Sequence, residues 1–221
     1  MFNENIRRIA ITGVHKSDLV IYLALILQKL KFRVLVCDKT AAGEISCCIR
    51  KPAKSMDIIH YLEIDFACSE LAALDEAYDY IFYVQDFLVP AETKVQKSIY
   101  ICDGIRAHLQ LLLQELSRLP CLENQSIKSS MMLYRDLYDS CTIKYVEKCC
   151  TVIQQMEVKI LQHECMDEAG FQRMQFQPLL CLPELSSSME SCLKDIINQM
   201  TGLDERSIKH AVRQAKRGKA Y

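Results

Sequence analysis

Three residue types at one spacing suggest phosphate chemistry near the start of the chain. Gly13 ends a short apolar run. Lys16 and Ser17 come a few residues later, just before a long amphipathic segment. In a phosphate-binding turn, backbone N–H groups point at phosphate oxygens, glycine permits the curvature, lysine neutralises the charge and a hydroxyl holds Mg²⁺. Lys16 and Ser17 are therefore candidates for the last two tasks.

Two neighbouring residues oppose this chemistry. His15 places a Cβ and a ring where the backbone would approach a phosphate, and Asp18 adds a negative charge within reach of it. A carboxylate in the first helical turn also competes for the N–H groups that a phosphate would need. We therefore predict that ATP and Mg²⁺ bind weakly or not at all. The alternative is a tight turn between a strand and a helix that binds no ligand.

The segment around this turn predicts the elements that position it. An apolar run ends at the glycine, helical spacing of apolar residues follows, and a second apolar run ends in a carboxylate. The predicted elements are a strand at residues 9–11, a helix at residues 19–30 capped by Ser17 or Asp18, and a strand at residues 34–37 ending at Asp38.

This order of elements resembles the opening of the MinD/ParA group of P-loop ATPases, which includes the CpaE/TadZ proteins that position pili. The turn of that group reads K-G-G-V-G-K-[ST]-[ST], and its last lysine precedes the aspartate of the next strand by the interval from Lys16 to Asp38. His15 replaces a glycine, Asp18 replaces a hydroxyl residue, and Ile11 stands where the signature lysine of the group lies. The resemblance implies a vestigial nucleotide-binding turn made of Gly13, Val14, His15, Lys16, Ser17 and Asp18.

A second stretch, residues 78–86, resembles the Walker B strand of this group, which ends in an acidic residue on the side of the bound metal ion. The aspartate of the group would fall at or near Val84, so the acid is either lost or displaced to Asp86. Two residues along a strand move a carboxylate by about 6–7 Å, and Mg²⁺ demands near-octahedral geometry. The resemblance thus leaves Asp38 and Asp86 as candidate metal-side or switch carboxylates, and we predict no catalytic residue and no resident metal.

Alternating apolar strands and amphipathic helices predict one α/β domain. We expect a mainly parallel sheet of about seven strands with helices on both faces, in the P-loop NTPase topology of the MinD/ParA group. Residues 1–202 are assigned to a degenerate P-loop ATPase-like domain and residues 203–221 to a basic C-terminal helix or tail. Less regular segments predict strands at residues 58–64 and 179–182 and a helix at residues 69–77. A further helix is predicted at residues 189–200, capped by one of the serines at 186–188 and ended by Gly202. Arg135 and Asp136 are predicted to form an ion pair at a sheet edge.

Composition restricts the partners and the compartment. The 221 residues carry a formal charge of −1, which gives no electrostatic case for bulk nucleic-acid binding. No apolar stretch is long enough to span a bilayer, and the N-terminus lacks a signal-peptide core, so we expect a cytoplasmic protein. None of the 12 cysteines forms a C-x-x-C pair, and Cys37, Cys102 and Cys181 fall in apolar runs typical of small buried side chains.

The basic segment after Leu203 lies where MinD-type proteins carry a membrane-binding helix. Its apolar side offers mainly alanine and valine, which bury little area. We therefore interpret it as a partner-docking or solvated helix rather than a membrane anchor.

The sequence as a whole favours a catalytically impaired relative of the MinD/ParA and CpaE/TadZ ATPases. Such a pseudo-ATPase would serve as a localisation or assembly scaffold for a pilus, secretion or division machine, with protein partners and a homodimer as its expected assemblies. Two alternatives remain: a working but atypical ATPase that dimerises around nucleotide, and an α/β protein-binding module that is independent of nucleotides.

Overall fold

The computed structural model describes residues 7–49, 57–67, 77–89, 95–118, 130–137, 144–145, 147–148, 150–177, 179 and 181–217. The strands are β1 Arg7–Gly13, β2 Val34–Asp38, β3 Ile58–Tyr61, β4 Ile64–Ala67, β5 Tyr80–Gln85, β6 Lys97–Cys102, β7 Met131–Leu137 and β8 Glu157–Gln162. The α-helices with complete bounds among the described residues are α1 Ser17–Lys29, α2 Glu44–Cys48, α3 Arg106–Arg118, α4 Cys165–Phe176, α5 Ser187–Thr201 and α6 Glu205–Arg217, and a 3₁₀ helix spans Thr151–Gln155.

The eight strands form one sheet in the order β3-β4-β2-β5-β1-β6-β7-β8. All neighbouring strands run parallel except β3 and β4, which are antiparallel. This is the predicted α/β architecture, and it places β1 and its terminal glycine near the middle of the sheet. The carboxyl ends of the parallel strands therefore meet at one edge, which is where open α/β sheets bind ligands.

Alternate residues of the central strands pack in different hydrophobic clusters. On β2, Val34 and Val36 join the largest cluster, whereas Leu35 and Cys37 join another. That largest cluster includes buried side chains of α1, α5 and α6, and α3 packs in a separate cluster with β6 and β7. Because successive strand residues point to opposite faces, apolar side chains are buried on both faces of the sheet, as its continuous apolar runs predict.

The C-terminal helix is part of the main core. Ile208, Ala211, Val212 and Ala215 of α6 are at most 2% exposed and pack with α1. The small apolar side of this helix is therefore covered within the chain and is not available to a partner. Its polar side is exposed to solvent, so docking of a partner on that side stays a prediction. The assignment of residues 203–221 to a separate segment stays a prediction.

The segment predicted as one strand at residues 58–64 is a hairpin of β3 and β4. Leu62 and Glu63 turn the chain with φ of 53° and 61°, the left-handed backbone that two-residue hairpin turns require. The prediction missed this turn because neither position holds the glycine or asparagine that usually marks it. The helix predicted at residues 69–77 falls almost wholly outside the described residues.

Other boundaries differ in smaller ways. The prediction missed α2 and α4; only Asp167, Gly170 and Met174 of α4 are buried, so its apolar spacing is weak. Among the described residues of 179–182 there is no strand; instead the Leu182 N–H donates to the Ala215 carbonyl at 2.9 Å. Ser186 caps α5 through the Met189 N–H, and Gly202 ends it at φ 69°, both as predicted.

Three chemical features of the described residues bear on function. No described helix has the length and apolar character needed to cross a bilayer. Within the same ranges, no three His, Cys, Asp or Glu side chains are grouped to hold a metal ion. Cys37 and Cys102 are buried, as predicted, but Cys181 is only half-buried because its segment is not a core strand.

Candidate functional site

Gly13 fixes the position of the candidate turn. It pairs with Ile101 of β6 and has φ of 138°, and the next N–H, from Val14, donates to the Ile101 carbonyl at 3.1 Å. A Cβ at Gly13 would lie 1.9 Å from that carbonyl oxygen. Glycine is therefore required both for the backbone angle and for the close approach of β6.

Lys16 precedes α1 and is wholly buried. Its ammonium donates to the Gly13 carbonyl at 2.7 Å, to both oxygens of the Glu44 carboxylate at 3.1 Å, and to Asp86 Oδ1 at 2.9 Å. Ser17 Oγ donates to the same Glu44 carboxylate at 3.2 Å. The two side chains that the sequence assigned to phosphate and Mg²⁺ are thus both bound to one internal carboxylate.

Asp18 does not face the turn as a repelling charge. Its side chain is fully buried and receives two hydrogen bonds from the Arg135 guanidinium, at 2.7 and 3.0 Å. Arg135 also donates to the His15 carbonyl. Burial alone would lower the pKa of Arg135, but the charges and hydrogen bonds of Asp18 and Asp136 together outweigh burial and raise that pKa. The predicted repulsion by Asp18 is therefore wrong, since Arg135 neutralises its charge. The predicted cap is wrong as well, because neither Ser17 nor Asp18 caps α1, which has no side-chain cap.

The predicted ion pair of Arg135 and Asp136 is present, but Arg135 is not at a sheet edge. It lies on β7, which runs between β6 and β8 inside the sheet, and is only 4% exposed. A contact with Asp136 exists at 3.2 Å, but it is the outer part of a network whose buried part is Asp18.

His15 adopts a left-handed backbone with φ of 47°. Its ring points to Asp103 at the end of β6, with Nε2 3.4 Å from Oδ2, and His108 Nδ1 lies 2.9 Å from the same carboxylate. The hydrogen bond to Asp103 raises the pKa of His15 despite its partial burial. Burial alone would raise the pKa of Asp103, but hydrogen bonds from His15, the Ile105 N–H and His108 outweigh it and lower that pKa.

The two carboxylates predicted at strand ends have different surroundings. Asp38 accepts from the Thr40 N–H and hydroxyl and from the N–H groups of Ile45 and Ser46, so it holds the backbone at the start of α2. Asp86 follows β5 and reaches Lys16. Burial favours a raised pKa for Asp86, but hydrogen bonds from the Ala41 N–H and Lys16 lower it.

Two adjacent cavities open at this edge of the sheet. One of about 410 Å³ lies over the turn, lined among others by Gly13, Ser17, Glu44 and Asp86. The second, of about 530 Å³, lies at the ends of β6, β7 and β8, and His15 and Phe171 line both. As arranged, the residues do not fit a Mg²⁺–nucleotide, because Lys16 and Ser17 are bound to Glu44 and a phosphate there would meet two carboxylates.

Comparison with solved structures identifies the architecture. The chain superposes on the MinD cell division protein of Aquifex aeolicus with a TM-score of 0.62, 13% identity and coverage of 90% of this chain and 98% of that chain. For the MinC:MinD cell division protein complex of the same organism, the TM-score is 0.64 at 13% identity, with coverage of 90% of this chain and 96% of that chain. For a ParA family ATPase from Chlorobium tepidum TLS, the TM-score is 0.57 at 14% identity, with coverage of 95% of this chain and 98% of that chain.

The chain has the MinD/ParA fold. No protein-family model matches its sequence, and no curated protein matches it. Identities of 13–14% establish the MinD/ParA architecture alone, so the chemistry of this chain has to be argued from its own residues.

Sequence reasoning found most of the turn but missed its partners. The resembled group carries an acid in its first switch loop, after the strand that ends at Asp38. Glu44 is only a weak match to that acid, and the sequence predicts a solvated loop there, whereas the structure places Glu44 on α2. Sequence reasoning also misses Asp103 and His108, although Asp103 ends an apolar run just as Asp38 does. The ion pair of Asp18 and Arg135 joins residues 117 positions apart, which no local pattern reveals.

Proposed function

We propose that this chain is a catalytically impaired protein of the MinD/ParA fold that acts as a localisation or assembly scaffold for a pilus, secretion or division machine. One observation carries the proposal. The ammonium of Lys16 is wholly buried and bound to Glu44 and Asp86. The charge that would neutralise a phosphate is therefore already paired with carboxylates of the chain itself.

The physical argument for impairment concerns positioning and charge. Catalysis of phosphoryl transfer consists almost entirely of these two contributions. Here the turn lysine faces two carboxylates, and Ile11, at the position of the signature lysine, is buried with no exposed surface. Asp86 hydrogen-bonds the Ala41 N–H and Lys16 rather than standing free as a metal ligand.

The scaffold part of the proposal is supported by the surface and by one related structure. The MinD neighbour is recorded in a complex with MinC, so this architecture accommodates a protein partner. Ile105, Met166 and Phe176 are 53%, 50% and 88% exposed, which offers apolar surface for a partner or a second copy of the chain. A cytoplasmic location and a homodimer belong to the same proposal.

A nucleotide-dependent dimer is the second candidate. Its support is that Asp86 lies beside Lys16 at the end of β5, next to a cavity of about 410 Å³. This candidate predicts a dimer that forms only with ATP and Mg²⁺, whereas the scaffold predicts an oligomeric state that is the same with and without nucleotide. Size-exclusion chromatography with light scattering, with and without Mg²⁺–ATP, separates the two.

We expect no ATP hydrolysis above background by the purified chain. The assay is phosphate release with Mg²⁺–ATP, with Lys16→Ala as the matched variant, because it removes the ammonium that any turnover at this site would need. Equal, background rates for both proteins are the expected result. Steady turnover that disappears in Lys16→Ala would identify a working ATPase.

A further inference from the structure

The carboxylate of Glu44 takes the place of a ligand on the turn. Both of its oxygens lie 3.1 Å from Lys16 Nζ, and one accepts from Ser17 Oγ at 3.2 Å. A planar oxyanion bound to an ammonium and a hydroxyl makes the contacts that a phosphate oxygen pair would make there. The turn is therefore filled by the chain itself.

The backbone that carries Glu44 is anchored independently of this contact. Gly43 precedes it with φ of 63°, the Glu44 N–H donates to Thr40 Oγ1 at 2.8 Å, and Asp38 accepts from the next two N–H groups. The Glu44 side chain itself is 32% exposed. Rotation of this side chain alone can therefore withdraw the carboxylate, with α2 staying in place.

The second carboxylate on Lys16 is held more firmly. Asp86 Oδ1 accepts a hydrogen bond from Lys16 Nζ at 2.9 Å, and Asp86 Oδ2 accepts one from the Ala41 N–H at 2.9 Å. When Glu44 leaves, Lys16 keeps Asp86 and the Gly13 carbonyl as partners, so its buried ammonium is not left unpaired. Glu44 is thus the displaceable member of the pair, and the cavity of about 410 Å³ beside it has room for an incoming group.

We propose that Glu44 is a built-in, displaceable occupant of an oxyanion site formed by Lys16 and Ser17, and that its withdrawal admits phosphate groups. The proposal rests on the proposed function, because it names the contact that keeps the turn closed. The shared ligand chemistry is a phosphate oxyanion, supplied either by free pyrophosphate or by the phosphate tail of a nucleotide.

The test is binding by the full chain and by Glu44→Gln, which keeps the side-chain size and removes the charge. Calorimetric titrations with pyrophosphate and with Mg²⁺–ATP distinguish the two sources. Glu205→Gln is the control, since it removes the charge of an exposed glutamate that pairs with Lys209 on α6. Thermal melts verify that each variant is folded.

We expect Glu44→Gln to bind at least one of the two ligands about 10-fold or more tightly than the unmodified chain, with Glu205→Gln unchanged. A gain with pyrophosphate identifies a general oxyanion site, and a gain with ATP alone identifies a nucleotide site that needs more than its phosphates. Folded Glu44→Gln and Glu44→Ala proteins that gain affinity for neither ligand would overturn the inference. That result would leave the absence of hydrolysis intact, whereas turnover by the unmodified chain would overturn the proposed function whatever Glu44→Gln does.

Discussion

Replacement of Arg135 by methionine is expected to destabilise the chain by about 3–5 kcal/mol, because it leaves the carboxylate of Asp18 buried without a charged partner. The side chains of Arg135 and Asp18 are 5% and 0% exposed, so water cannot take over the lost hydrogen bonds. Arg135 also holds the His15 carbonyl, and its loss frees the turn from β7. The measurement is the midpoint and slope of equilibrium unfolding in urea.

Two variants make this prediction specific. Arg33→Met breaks an ion pair with Asp79 in which the side chains are 61% and 38% exposed, and we expect a cost below about 1 kcal/mol. The double variant Asp18→Asn, Arg135→Met removes both charges and should recover a large part of the loss, because an uncharged polar group is cheaper to bury than a lone carboxylate. Equal small losses for Arg135→Met and Arg33→Met would show that the buried pair contributes little.

Gly13→Ala is expected to destabilise the chain by more than about 4 kcal/mol, a loss that only a few mechanisms produce. The added Cβ would lie 1.9 Å from the Ile101 carbonyl oxygen, and φ of 138° is a conformation that side-chain-bearing residues rarely adopt. Either β6 must move away from β1 or the turn must change its path. For a domain of this size such a loss lowers the melting temperature by roughly 8–16 °C.

Gly202→Ala is the matched control for this substitution. Gly202 also has a positive φ, 69°, but a Cβ there would meet nothing within 4 Å. We therefore expect Gly202→Ala to lower the free energy of unfolding only by the cost of a left-handed backbone, about 1–2 kcal/mol. Similar melting temperatures for the two alanine variants would mean that the contact with Ile101 does not constrain the turn.

The parts of the fold that the sequence predicts are those encoded by local patterns. Apolar runs that end in Gly13 and Asp38, with helical spacing between them, predict β1, α1 and β2 without knowledge of the rest of the chain. The serine at 186 and the glycine at 202 mark the ends of α5 for the same reason, since caps act within a few residues.

The parts that the sequence did not predict depend on distant partners or on short elements. Asp18 looks like a repelling charge until Arg135 is placed against it by the β7 strand. Glu44 lies on a helix of five residues, which is too short to show periodicity. The covering of α6 by α1 also requires the tertiary structure, because a weakly apolar helix is equally typical of an exposed tail.

The most direct test of this account is calorimetry of Mg²⁺–ATP with the unmodified chain. Because Glu44 and Asp86 hold Lys16, we expect no detectable binding or a dissociation constant no tighter than about 10–100 μM, equivalent to roughly 5.5–7 kcal/mol. Sub-micromolar binding would contradict the account, since it would mean that phosphate displaces Glu44 readily despite the nearby Asp86, and that the turn binds nucleotide as a working P-loop does.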